Sequence, residues 1–180
     1  MDRLSGLVAA IVVAMAIAVT VVLVGDGTPA SRIEEDLEWT LRLREAEAAL
    51  ATGRPQLTLI QLRAAYRAAL RTGRWDAMVE VGDVARRAAQ GTPAPAPAVP
   101  TASRAYLAAL ALARDQRSLD GVLRVGQGFA ALGDREMVEY CIGLAGGFAD
   151  RAGAEGVVRV QAFADRYREV RGPGLEGLRE

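Results

Sequence analysis

The 180-residue chain contains no lysine, no histidine and no asparagine, and its 22 basic residues are all arginine. Without histidine there is neither a Ser-His-Asp or Cys-His catalytic unit nor an imidazole metal ligand. Without lysine there is no Walker-type phosphate loop and no Schiff base. Without asparagine there is no acceptor for N-glycosylation. Only four serines occur, Ser5, Ser31, Ser103 and Ser118, and Cys141 is the one cysteine, so no disulfide forms within the chain. Cys141 falls on the apolar stripe of an expected helix and reads as a small buried hydrophobe. Arginines are balanced by 22 acids, giving zero net charge, so no bulk attraction to nucleic acid is expected. These absences lead us to expect a non-catalytic protein with no cofactor, no metal and no small-molecule substrate.

What is present is alanine, leucine, valine, glycine and arginine, distributed unevenly. Leu7 to Val24 has no charge, no proline and only Thr20 as a polar residue. As a helix it would rise about 27 Å, close to the hydrocarbon thickness of a bilayer. It exceeds the usual length of a signal-peptide core. Thr28-Pro29-Ala30 before Ser31 loosely resembles a cleavage site, but the expected reading is an uncleaved N-terminal transmembrane anchor over 1–25. Ala10, Ala14 and Ala18 form a small-residue face suited to packing on another transmembrane helix. The short N-terminal segment favours a cytoplasmic start, placing the body on the periplasmic side of a bacterial inner membrane.

A hinge follows at 26–30, then a first helical unit over 31–90, a Pro/Ala linker over 91–100, a second helical unit over 101–171 and a tail over 172–180. Apolar spacing near 3.6 runs throughout and no segment alternates like a strand. The expected fold is all-α: stacked antiparallel hairpins of about seven helices after the anchor. Helices are expected from the capping box at Ser31 to about Thr52, from Pro55 to Gly73, from Trp75 to Gln90, and from Thr101. A fifth is expected from Ser118 to Gly133, a sixth ending near Gly153, and a seventh ending at Gly172. Expected apolar faces include Leu59, Leu62, Tyr66, Ala69 and Leu70 in the second helix, and Met137, Cys141, Leu144 and Phe148 in the sixth.

Two charged features stand out. Glu34, Glu35, Asp36 and Glu38 crowd the start of the first helix, where they complement its dipole. Arg63, Arg67 and Arg71 form a basic stripe on the second, a candidate docking surface for an acidic partner or lipid headgroups, or simply a solvated face. The alternating prolines of 91–100 favour a stiff extended spacer.

The turn glycines repeat: Gly53 and Gly73 are 20 residues apart, as are Gly133 and Gly153. Val125–Asp134, followed by Ala145, resembles a tetratricopeptide repeat. Gly126, Phe129, Gly133 and Ala145 fit its small, aromatic, turn and second-helix alanine slots. The match is best over 119–153. The first unit departs from it, with Tyr66 in the small slot and Ala69 in the aromatic one, although Gly73 and Ala85 fit. Another α-solenoid or an irregular helical bundle remains open. The resemblance implies protein binding by a membrane-anchored adaptor of the bacterial envelope. Two roles follow from it: an accessory subunit docked on a larger integral membrane complex, for example a respiratory or photosynthetic one, or a biogenesis factor that holds client proteins in its groove.

Overall fold

A computed structural model describes residues 29–91 and 98–170. Among the described residues there are six α-helices and no strand: α1 (Pro29–Ala51), α2 (Pro55–Thr72), α3 (Trp75–Gln90), α4 (Ala98–Asp115), α5 (Leu119–Leu132) and α6 (Arg135–Val170). They pack as stacked pairs, α1 on α2, α3 on α4 and α5 on α6. Between pairs, α1 touches α3 and α3 touches α5, while α2 touches α4. This two-layer pattern is compatible with a helical-repeat solenoid. One core runs through all six helices from Trp39 to Phe163, filled largely by alanine.

The turns explain where the helices stop. Gly53, Gly73 and Gly133 adopt the left-handed conformation that only glycine reaches cheaply. At Gly133 the amide donates to the Ala130 carbonyl, and Asp134 N–H donates to Phe129, closing the last turn of α5. Ser118 caps α5, its hydroxyl accepting from Gly121 N–H at 3.0 Å. The turn before it is different: Arg117 holds the left-handed position, φ 52°, in the slot glycine fills elsewhere.

Several expectations are corrected. The expected fold of an N-terminal transmembrane helix plus about seven further helices is not what is observed. Among the described residues no helix is long and apolar enough to cross a membrane, and the helices number six. The run Leu7–Val24, on which the anchor rested, lies outside the described residues, and so does its Ala10, Ala14, Ala18 face. The count is six because α6 spans the expected sixth and seventh helices, and Gly153 (φ 72°, ψ −164°) breaks the helical conformation inside it, where the boundary between the two was expected. α1 begins at Pro29, ahead of Ser31, and α4 begins at Ala98, ahead of Thr101. Pro100 thus sits in the first turn of α4, where its missing N–H has no helical partner to lose. Residues 92–97 of the proline segment lie outside the described residues.

Candidate functional site

The two layers of the stack treat their charges differently. Where α1, α3 and α5 meet, ion pairs join helix to helix: Arg74 to Asp36 at 3.1 Å, Arg87 to Glu47, and Arg124 to Asp83. Arg74 also clamps Asp76 and holds its carboxyl below the usual carboxylate range. A groove of about 350 Å³ between α1 and α3 is lined by the paired Glu47, Asp83 and Arg87 together with Arg44 and Glu80. Such pairs zip the seams of the stack.

At the centre of the stack lies Tyr106, fully buried on α4. Its ring rests between Gly82 of α3 and Gly128 of α5, where an added Cβ would fall 2.5 and 2.6 Å from ring atoms. Phe129 meets it edge to face at 5.6 Å between centroids. The hydroxyl donates to Asp83 at 2.7 Å, and Asp83 in turn takes Arg124. Burial, reinforced by the Asp83 carboxylate, pushes the phenol up to about 12. The cluster is a satisfied polar knot that fixes how α3, α4 and α5 meet.

The opposite layer, α2 and α4, brings three arginines together. Arg63 and Arg67 of α2 and Arg104 of α4 converge on a cavity of about 430 Å³, with Tyr66, Pro100 and Thr101 completing its lining. All three arginines are exposed, and none forms an ion pair among the described residues. Among the described residues no carboxylate lines the cavity. Exposed apolar side chains flank it a turn away: Ile60 and Leu70 on α2, Leu107 on α4. Leu107 also opens a second, mostly apolar hollow of about 270 Å³ with Leu110, Met137 and Tyr140. Three guanidinium groups around one cavity create a local positive potential and present donor forks matched to carboxylates.

The stripe read from sequence is therefore divided. Arg63 and Arg67 share the cavity, while Arg71 reaches across to Glu38 of α1 at 2.6 Å. Arg104 was not part of that stripe. The signal for it was the hairpin repeat itself, which sets α4 beside α2 one hairpin later. The acidic cluster is partly consumed: Asp36 and Glu38 serve Arg74 and Arg71. Cys141 is buried, and burial, with Asp134 nearby, pushes its thiol up to about 12, so it stays protonated at neutral pH.

No protein-family model, no curated protein and no solved structure matches the chain.

Proposed function

We propose that this chain is a non-catalytic, tetratricopeptide-like scaffold that docks an acidic segment of a partner protein on its α2/α4 face, as an accessory or assembly subunit of a larger complex. The observation that carries the reading is the convergence of Arg63, Arg67 and Arg104 on one cavity that no carboxylate among the described residues lines. Like charges gathered around one cavity with apolar flanks leave a surface with something to bind. The repeat assignment draws support from the four matching positions. Gly126 lies where an added Cβ would meet Phe163 at 2.9 Å, Phe129 and Ala145 are buried, and Gly133 makes the turn.

The groove between α1 and α3 is another surface open to a client, but Glu47, Asp83 and Arg87 in it are already paired across the seams. That favours a stable docking role over transient client holding. Affinity purification of the full chain tests the role: one partner at fixed stoichiometry agrees with a subunit, whereas a substoichiometric mixture of clients contradicts it.

A further inference from the structure

Among the described residues, the outer face of α1 is apolar and uncovered. Ile33, Leu37 and Leu41 recur at i, i+4 and i+8 and are 61, 64 and 55% exposed. They lie opposite Trp39, Leu43, Ala46 and Ala49, which the core buries. Among the described residues α1 is the first helix of the stack, and its helix neighbours α2 and α3 belong to the buried side. Single exposed leucines are ordinary, but three in line on an end helix form an unpartnered face.

Charge around the stripe says what fits there. Acids to either side are committed within the chain: Asp36 to Arg74, Glu38 to Arg71 and Glu47 to Arg87. Glu34 and Arg44, both exposed, form no ion pair among the described residues. Glu34 sits at the N-terminal end of the stripe and Arg44 at its C-terminal end. A face with acid at one end and base at the other, and leucines between, is complementary to itself turned end for end. We propose that a second copy of this chain covers it, α1 antiparallel to α1. Leu37 of each copy then lies over Leu41 of the other, and Glu34 of each beside Arg44 of the other, twice by symmetry. A parallel pairing would oppose like charges and lose both contacts. One helix pair buries less than a standard interface of roughly 1,600 Å², so the dimer is weak and reversible. This inference uses a different helix face from the arginine cavity and stands apart from the proposed docking role.

Sedimentation equilibrium of the full chain across a range of concentrations tests it, with circular dichroism melts confirming that each variant folds. The wild type is expected to dimerise reversibly, and Leu37→Glu to abolish the dimer without lowering the melt. Glu34→Arg and Arg44→Glu are each expected to weaken dimerisation about tenfold, because two pairs per dimer turn repulsive. The double variant Glu34→Arg/Arg44→Glu restores the pairing with signs exchanged and is expected to return to within about threefold of wild type. A wild type that stays monomeric overturns the proposal. So does association unmoved by the single charge reversals, or a double variant no better than the singles.

Discussion

Arg117 shows most plainly what one residue costs in this fold. Its φ of 52° closes the α4–α5 turn, with Arg117 N–H donating to Arg114 and Ser118 N–H to Ala113. Glycine does the same work at Gly53, Gly73 and Gly133 without a Cβ penalty. Replacing Arg117 by glycine should therefore stabilise the chain by about 1 kcal/mol, the cost of holding a non-glycine residue in that region. Urea melts of the two proteins check it. Tyr106 is the other decisive residue. Its pKa is raised in the folded state, so its contribution is intact below the ordinary phenol value of about 10 and is lost as pH rises through about 12. The chain has no lysine to titrate in that window. Stability should fall by up to roughly 2 kcal/mol between pH 10 and 12 from this group, with Cys141 adding in the same direction. In Tyr106→Phe the decline measured by denaturant midpoint should be shallower. The central position of Tyr106 was not legible in the sequence. Gly82 and Gly128, which make room for the ring, lie on two other helices that only the stack brings together.

At the scale of the helix, composition and period identified the type of the six described elements, and turn glycines identified most of their ends. The phase of each buried stripe was less legible. In α2 the core takes Leu59, Leu62, Ala65, Ala68 and Ala69, leaving Tyr66 half-buried and Leu70 exposed. In α6 it takes Val138, Cys141, Ala145 and Ala149, with Met137, Leu144 and Phe148 only partly buried. Close-packed helices favour alanine at the contact line and push larger apolar residues to its edges, which reverses a ranking by hydrophobicity alone. Phe129 is wholly buried and Phe148 is not, so truncation to alanine should cost about 3–5 kcal/mol at Phe129 and clearly less at Phe148. Helix glycines divide on the same ground. An added Cβ at Gly128 would strike the Tyr106 ring, whereas one at Gly146 meets nothing within 4 Å. Gly128→Ala should destabilise the fold. Gly146→Ala should stabilise it by about 0.5–1 kcal/mol through helix propensity, and paired thermal melts read both signs.

For the molecule as a whole, the repeat of turns made the stacking legible before any helix was placed, because a hairpin that cannot bury its face alone buries it against the next. What the sequence did not make legible was which arginines act together. Arg71 belongs to the α1–α2 seam through Glu38, and Arg104 joins Arg63 and Arg67 only when α4 lies beside α2. The central claim is that this trio docks an acidic partner, and quantitative co-purification under mild conditions tests it most directly. The full chain and its Arg63→Gln/Arg67→Gln/Arg104→Gln variant are compared at physiological salt. Exposed substitutions of this kind usually move stability by less than about 0.5 kcal/mol, so the variant should melt like wild type. The account expects a partner recovered at fixed stoichiometry with the wild type to be lost from the variant, and to weaken on the wild type as salt is raised. Recovery of the same partner in the same amount by both proteins would contradict it.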